Sequence, residues 1–312
     1  MAEKIIETMN LTKKYGDFTA VNNLNMSVDE GDIFGFLGPN GAGKTTTFLM
    51  LMGLSLPSSG TATVGGFDIV DSSREVRRLA SILPENSSLY GNLTAYQNLN
   101  FIGKLNDMER DEREKLIPEL LDIVSMTEWS DAKFNTFSRG MKQRVGLASV
   151  LLKKPKIIFL DEPTIGLDPM GTREIRELII NLNKEQGLTV ILSSHLLDEV
   201  QKTCTRVGII NKGELVVTDS LQNLSKDIDS LGGRQVEYKL SETPMELVHN
   251  LEELEGVKSV SRVDDMLVVY CPPESDHRVS KAIMEHGSVI LMMKTREFSL
   301  EEIFMKYYED EP

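Results

Sequence analysis

The feature of this sequence that most constrains its fold is a glycine-rich run close to the N-terminus. The run extends from Gly38 to Thr45 with the sequence GPNGAGKT, which matches the pattern GxxxxGK[ST]. An apolar strand is predicted just before it, over residues 32–37, and a helix is predicted to begin near Gly43. In this setting glycines allow backbone N–H groups to converge on a phosphate, and the helix N-terminus adds positive potential. The run therefore predicts a phosphate-binding loop in an α/β fold, and a plain glycine-rich turn is rejected.

The polar side chains of the loop have distinct predicted roles. Lys44 is predicted to bridge β- and γ-phosphate oxygens, and the Thr45 hydroxyl is predicted to ligate Mg²⁺. The residues of this segment predicted to contact the nucleotide are Gly38, Asn40, Gly41, Ala42, Gly43, Lys44, Thr45 and Thr46.

A pair of carboxylates follows a second apolar strand further along the chain. Residues 157–160 are all apolar and lead directly into Asp161 and Glu162. Such a strand can carry its C-terminal acids to the edge of a parallel sheet, where ligands bind. Taken alone, the pattern is explained equally well by an ordinary strand end. Together with the loop, it predicts that Asp161 reaches the Mg²⁺ shell and that Glu162 polarises the attacking water.

The composition narrows the class of protein. The 312 residues include 48 Asp and Glu against 34 Lys and Arg, a formal net charge of −14. This balance argues against a general nucleic-acid surface, which needs clustered cations. No apolar run approaches the ~20 residues of a membrane helix, and the N-terminus does not resemble a signal peptide. Cys204 and Cys271 are isolated, so two reduced, buried thiols are expected rather than a zinc site.

The order of predicted elements indicates two domains. The first 80 residues suggest short strands with one helix, residues 94–152 are mainly helical, and alternating strands and helices up to residue 210 imply a mainly parallel sheet. Residues 225–233 have the composition of a linker. After them the predicted order β-α-β-β-α-β is that of a ferredoxin-like domain. Predicted strands are residues 5–10, 19–28, 32–37, 156–160, 188–193, 206–210, 235–240, 257–263, 266–271 and 289–293, and further helices are 172–185, 197–203, 244–254, 276–286 and 299–308.

Several motifs in sequence order resemble the nucleotide-binding subunit of ABC transporters. Besides the loop and the carboxylate pair, these are Tyr15, the segment FSRGM of residues 137–141, the segment GLD of residues 166–168, and His195. They match, in order, the adenine-stacking aromatic, the signature motif, the D-loop and the switch histidine of that family. The resemblance covers residues 3 to about 220. The signature version with Arg139 and Met141 looks like that of drug-resistance and ABC-2 type exporter ATPases.

The resemblance implies a fold and a set of site residues. The expected fold is a P-loop NTPase ABC cassette over residues 1–225, with an antiparallel β part and a helical subdomain at about 84–152, followed by a small α+β domain over 226–312 for regulation or dimerisation. Implied catalytic residues are Glu162, His195 and Lys44. Further implied nucleotide contacts are Tyr15, Ser138, Gly140 and Asp168. Implied metal ligands are Thr45, Asp161 and Glu85, the last standing where the family commonly has Gln.

The resemblance also implies partners. Two cassettes, identical or paralogous, would pair head to tail with ATP and Mg²⁺ between them, and would power a separate polytopic permease of the ABC-2 type. The chain would then lie in the cytoplasm, peripheral on the inner face of the cell membrane, without binding nucleic acid. Export is favoured over import. Residues 84–135 are expected to contact the permease, although their apolar side chains could equally form local core: Leu89, Tyr90, Leu93, Tyr96 and Phe101.

Two alternatives remain at this point. Some ABC ATPases act on ribosomes or chromosomes, but those carry two cassettes or an inserted coiled coil, and neither pattern is found here. A cassette that binds nucleotide without hydrolysis is the other, and the presence of Lys44, Asp161 and Glu162 argues against it.

Overall fold

The computed structural model describes residues 3–86, 89–224, 234–263 and 265–296. Contacts divide the chain into two compact units, one ending at Asp219 and the other beginning at Ser220. The predicted boundary at 225 and 226 and the predicted helix over 299–308 both lie outside the described residues.

The first unit contains eleven strands and seven helices among its described residues. In chain order they are β1 (Lys4–Tyr15), β2 (Phe18–Leu24), β3 (Ser27–Asp29), β4 (Ile33–Leu37), α1 (Lys44–Leu51), β5 (Ser59–Val64), β6 (Phe67–Asp68), α2 (Ser73–Leu79), β7 (Ala80–Leu83), α3 (Ala95–Leu105), α4 (Arg110–Ile123), α5 (Arg139–Leu151), β8 (Ile157–Asp161), α6 (Pro169–Gln186), β9 (Thr189–Ser194), α7 (Leu197–Thr203), β10 (Arg206–Asn211) and β11 (Glu214–Ser220).

A six-stranded sheet forms the centre of this unit, in the order β11-β10-β4-β9-β8-β7. The pairs β10–β4, β4–β9, β9–β8 and β8–β7 are all parallel. Every residue of β4, β8 and β9 is buried, as expected for strands covered on both faces. Phe48 of α1 packs between the rings of Phe36 and Phe159, with centroid separations of 6.0 and 5.3 Å. These contacts hold the first helix over the sheet.

A second sheet joins β2, β1, β5 and β6 in that order. In addition, β3 pairs with the first residues of β1, from Lys4 to Glu7. β1 pairs antiparallel with β2, β3 and β5. Helices α3, α4 and α5 contact one another. The first unit therefore combines a mainly parallel sheet, an antiparallel β part and a helical part, as predicted.

The second unit continues with β12 (Arg234–Leu240), α8 (Met245–Glu252), β13 (Ser259–Val263), β14 (Met266–Cys271), α9 (Asp276–Glu285) and β15 (Ile290–Arg296). Its sheet has the order β13-β14-β12-β15, and all three pairings are antiparallel. Buried side chains of both helices, such as Leu247 and Ile283, pack on the sheet residues Val236, Tyr238 and Val269. The chain order of the described elements is β-α-β-β-α-β, the order expected from the sequence.

Two predictions for the first 80 residues are wrong. Residues 19–28 form two strands, β2 and β3, separated at residues 25 and 26. They are separate because β2 pairs with the later part of β1, at Leu11 to Tyr15, whereas β3 pairs with its first part, at Lys4 to Glu7. This region also holds a second helix, α2, which has a single buried residue, Val76, and hence no apolar periodicity in its sequence.

The two cysteines agree with the expectation from the sequence. Cys204 and Cys271 are buried and form no disulfide, and burial raises the pKa of the Cys204 thiol. Within the described ranges, none of the helices has the length and apolar character needed to cross a bilayer.

Candidate functional site

The candidate site lies where the parallel strands end. The glycine-rich loop follows β4, Asp161 is the last residue of β8, and Ser193 and Ser194 end the neighbouring strand β9. The register pairs Asp161 with Ser193 and Leu37 with Ser194. Because carboxyl ends of parallel strands share one edge of a sheet, three separate parts of the sequence meet here.

The glycines of the loop are required by its geometry. Gly43 precedes α1 with φ 107°, and a Cβ atom there would lie 2.4 Å from the carbonyl oxygen of Ala20. At Gly38 a Cβ would lie 2.4 Å from the carbonyl oxygen of Ile210. A side chain at either position would therefore displace backbone of a neighbouring strand.

Lys44 is buried and is held by oxygen atoms. Its Nζ donates hydrogen bonds to the carbonyl oxygens of Gly38 and Pro39, at 2.7 and 3.2 Å. The same nitrogen lies 3.4 Å from Oε1 of Glu162. The lysine thus stands between the loop and the predicted base, with its charge directed into the site.

Asp161 accepts two short hydrogen bonds from hydroxyl groups. Thr45 Oγ1 donates to its Oδ2, and Ser193 Oγ donates to its Oδ1, both at 2.6 Å. Asp161 and Ser193 are buried, whereas Thr45 is exposed at the mouth of the site. A carboxylate flanked by hydroxyls on both oxygens has a fixed orientation.

Glu162 is buried in an unusual backbone conformation. Its φ is 48°, in the left-handed region that costs a non-glycine residue on the order of 1–3 kcal/mol. Its N–H donates to Ser193 Oγ at 2.9 Å, and its Oε2 lies 2.9 Å from Nδ1 of His195. Among the described residues, its Oε1 is buried and has no hydrogen-bond partner. One carboxylate oxygen is thus held by the histidine, and the other is available to a ligand.

Most of the predicted site residues line one cavity, which has a volume of about 260 Å³. Predicted residues that line it are Tyr15, Asn40, Gly41, Gly43, Lys44, Thr45, Thr46, Glu85, Asp161 and Glu162. His195 contacts Glu162 beside it, whereas Gly38 and Ala42 are buried in the loop and do not line it. Within the described part of the chain, no group of three His, Cys, Asp or Glu side chains has the arrangement of a metal site.

The aromatic wall of this cavity contains one residue that the sequence analysis missed. Tyr15 and Phe18 face each other across the β1–β2 turn, and both line the cavity while remaining exposed. Lys13 Nζ lies 5.0 Å from the centroid of the Tyr15 ring. The pairing register of this hairpin, had it been assigned from the sequence, would have pointed to Phe18.

The remaining predicted residues lie apart from this cavity, around a second depression. Ser138, Gly140 and Asp168 line it together with Arg139 and Gly166. Ser138 Oγ accepts from the N–H of Met141 at 3.3 Å, and Asp168 Oδ1 accepts from the N–H of Gly171 at 2.9 Å. The two side chains therefore cap the N-termini of α5 and α6.

Arg139 connects the two segments of the second depression. Its guanidinium lies against Gly166, where an added Cβ would be 2.7 Å from Nη1. Arg139 thus lies over the segment of residues 166–168, which it contacts at Gly166.

Known proteins resemble this chain over most of its length. The family model described as ABC transporter matches residues 21–165. The chain is 37% identical to the bacitracin transport ATP-binding protein BcrA of Bacillus licheniformis, covering 97% of this chain and 96% of that protein. It is 34% identical to the linearmycin resistance ATP-binding protein LnrL of Bacillus subtilis, covering 96% and 97%.

Solved structures of ABC transporter cassettes share the fold of this chain. The chain resembles cbiO1 of Clostridium perfringens, part of an ABC transporter complex, with 29% identity and a TM-score of 0.65 over 73% of this chain and 95% of that one. It also resembles a bacterial ABC transporter cassette solved as a dimer, with 28% identity and a TM-score of 0.63 over 69% and 98%. The chain therefore belongs to the ATP-binding subunits of ABC transporters, a family of cassettes that bind ATP and hydrolyse it to power transport.

Proposed function

We propose that this subunit drives an exporter, and that Glu162 is the general base for ATP hydrolysis. The observation that carries the proposal is the environment of Glu162. Oε2 is held by His195, Lys44 lies 3.4 Å from Oε1, and Oε1 is buried without a hydrogen-bond partner among the described residues. A carboxylate oxygen placed in this way can accept a proton from an attacking water.

The other residues of the cavity support binding of the triphosphate. Lys44 supplies a buried cation beside the glycine-rich loop, and α1 presents its N-terminus at the same place. The exposed ring of Tyr15 offers a stacking surface to adenine. His195 fixes the direction of the Glu162 carboxylate and is proposed to help organise the in-line attack.

Three side chains that line the cavity, from α1, from the end of β8 and from the segment after β7, fit a Mg²⁺ ion in their donor chemistry. A hydroxyl and a carboxylate, from Thr45 and Asp161, lie 2.6 Å apart, and Glu85 lines the same cavity. Mg²⁺ prefers such oxygen donors and commonly takes its remaining ligands from phosphates and water. Thr45, Asp161 and Glu85 would hold the ion, which would neutralise charge on the phosphates when bound.

The second depression supports a site completed by another cassette. Ser138, Gly140 and Asp168 are proposed to contact the triphosphate bound to the loop of a partner, which is either a second copy or a paralogous cassette. The helix N-terminus and the hydroxyl at this surface favour an anion. A related cassette solved as a dimer supports this arrangement.

The partner in the membrane is proposed to be a polytopic permease of the ABC-2 type. Relatives named for bacitracin transport and linearmycin resistance support export of a harmful compound. The chain would then lie in the cytoplasm, on the inner face of the cell membrane, and its charge of −14 disfavours nucleic acid as a partner.

We assign residues 1–225 to the nucleotide-binding domain and 226–312 to a domain that supports dimerisation or regulates it.

Among described residues, Tyr90 is mostly exposed and its ring contacts Phe101 at 5.2 Å, edge to face. Leu89, Leu93, Tyr96 and Phe101 are half-buried, so they serve partly as local core. Tyr90 is therefore the preferred permease contact of this group.

The hydrolysis proposal is tested with Glu162→Gln. This variant keeps the shape of the side chain but cannot act as a base, so ATP should still bind while turnover falls by roughly 100-fold or more. Turnover is measured by phosphate release and binding by equilibrium dialysis. Retention of more than a tenth of wild-type turnover would show that another group is the base.

The partner and the C-terminal domain are tested in the assembled complex. Purification in mild detergent should recover a polytopic membrane protein with the chain, and recovery of none would argue against the transporter assignment. Removing residues 230–312 should weaken dimerisation or alter ATPase regulation. Unchanged dimerisation, ATPase activity and complex assembly would contradict the proposed role of that domain.

A further inference from the structure

Ser193 was not among the predicted site residues, yet it contacts two of them, Asp161 and Glu162. It is fully buried at the end of β9, between β4 and β8. Its hydroxyl donates to Asp161 Oδ1 at 2.6 Å and accepts from the N–H of Glu162 at 2.9 Å. A single hydroxyl therefore contacts both residues of the carboxylate pair.

The direction of these bonds determines what each one does. A hydroxyl can donate one hydrogen bond, and here the acceptor is the Asp161 carboxylate. The lone pair of the oxygen then receives the Glu162 N–H. Thr45 binds the other oxygen of Asp161, so the two hydroxyls together fix the rotation of the carboxylate group. Ser193 holds its Oδ1 side.

The contact with the Glu162 backbone addresses a different requirement. Glu162 adopts φ 48°, a conformation that persists only when the surroundings hold it. Its N–H is bound by Ser193 and its Oε2 by His195, so both ends of the residue are anchored. The position of Oε1 follows from those two anchors.

We infer that Ser193 is a positioning residue that orients the metal-side carboxylate Asp161 and the proposed base Glu162 together. This inference rests on the proposed function, because it assigns Ser193 a role in the same site. Without the hydroxyl, Asp161 Oδ1 loses its hydrogen bond and the Glu162 N–H loses its acceptor, both in a buried place.

The test compares Ser193→Ala with a matched change at Thr189. Thr189 is also fully buried on β9, at the opposite end, where its hydroxyl accepts from the N–H of Gly31 at 2.9 Å. Thr189→Val removes a buried hydroxyl from the same strand without touching the carboxylates. Ser193→Thr keeps the hydroxyl and serves as the conservative rescue.

Three quantities are measured on the full-length chain. Ser193→Ala should lower kcat by about 10-fold or more and leave the KM for ATP within about 3-fold. In its ADP complex, the dissociation constant of Mn²⁺, followed by electron paramagnetic resonance, should rise about 10-fold. ADP affinity in EDTA should be unchanged. Thr189→Val should change none of these, and Ser193→Thr should restore most of the metal affinity.

Two results would overturn the inference. In the first, Ser193→Ala matches Thr189→Val in both kcat and Mn²⁺ affinity. In the second, ADP affinity in EDTA falls in parallel with metal affinity, which would indicate a general loss of structure in the site. The ATPase activity of the wild-type chain distinguishes failure of the proposed function from failure of the Ser193 inference. Absence of this activity would contradict the proposed function, whereas the Mn²⁺ measurement would still test Ser193.

Discussion

The cavity beside the glycine-rich loop and the depression beside α5 differ in what their polar groups are bound to. In the cavity, Asp161 is bound by Thr45 and Ser193, and Glu162 is bound by His195. Functional side chains thus hold one another in place in a buried setting. In the depression, the side chains of Ser138 and Asp168 are exposed and cap their own helices. The first region is assembled within one chain, and the second is the surface that we propose receives the nucleotide of a partner.

This difference has an energetic cause. Buried charges are costly unless they are paired or hydrogen-bonded, so the cavity tolerates few changes. An exposed helix cap contributes only about 1 kcal/mol. Substitutions in the cavity should therefore disturb nucleotide or metal binding by the single chain, whereas substitutions in the depression should affect nucleotide binding and turnover only in the assembled dimer.

The largest effect is expected for Lys44→Ala. It removes the cation beside the loop and leaves Glu162 without its ion-pair partner at 3.4 Å. ATP binding by the isolated chain and ATPase activity should both fall on the order of 100-fold. Lys153→Met is the control, because Lys153 is a partly buried lysine whose pKa is lowered by burial and by Arg77. Equal losses in the two variants would remove the special role of the loop lysine.

A smaller effect, of another kind, is expected for Ser138→Ala. ATP binding by the isolated chain should be unchanged, while ATPase activity falls by about 10-fold because the partner's triphosphate loses a donor. Loss of the α5 cap should cost about 1 kcal/mol in unfolding free energy. Ser138→Thr keeps both the cap and the hydroxyl and should retain activity. Weakened ATP binding in isolated Ser138→Ala would place this serine in the same site as Lys44.

Changing the aromatic wall should raise the dissociation constant of ATP without changing the chemical step. Stacking on a base contributes about 1–3 kcal/mol, so Tyr15→Ala should weaken ATP binding by roughly 10-fold. Tyr15→Phe should bind as wild type, and Phe18→Ala shows whether the second ring contributes. Fluorescence titration with an ATP analogue measures the binding. A Tyr15→Ala variant with wild-type affinity would mean that adenine binds elsewhere.

The smallest effect is expected for Glu85→Gln. Glu85 lines the cavity but is exposed, so solvent screens its charge. Loss of this charge should raise the Mg²⁺ concentration for half-maximal ATPase activity by about 2- to 3-fold, because one anionic donor is removed. The measurement is a Mg²⁺ titration at saturating ATP. An unchanged titration would exclude Glu85 as a metal ligand.

The parts of the site that could be predicted are those that depend on local sequence. The loop from Gly38 to Thr45 is continuous, and Asp161 and Glu162 directly follow an apolar strand. Ser193 could not be identified in this way, because its role depends on the register that pairs it with Asp161 across two strands. A serine in a buried strand has no distinctive pattern of its own. The left-handed conformation of Glu162 was equally invisible, since neighbouring hydrogen bonds impose it.

The same distinction applies to the fold. The buried strands β8, β9 and β10 were predicted because each contains a short, continuous apolar run. The element order of residues 234–296 was predicted from the alternation of strand-like and helix-like segments. The region of β5, β6, α2 and β7 was missed. Its first strand has mostly exposed or half-buried residues, and α2 has one buried residue, so tertiary contacts rather than local pattern select these elements.

The proposal for the assembled dimer is that each chain contributes its loop cavity to one nucleotide site and its depression beside α5 to the other. Its most direct test mixes Lys44→Ala and Ser138→Ala proteins, each also carrying Glu162→Gln to prevent turnover, and measures the ATP retained per dimer after rapid desalting. A mixed dimer has one intact site, formed by the loop of the Ser138→Ala chain and the depression beside α5 of the Lys44→Ala chain. Neither protein should retain ATP alone, whereas the mixture should retain it. A mixture that retains no more ATP than its components would contradict a site shared between two chains.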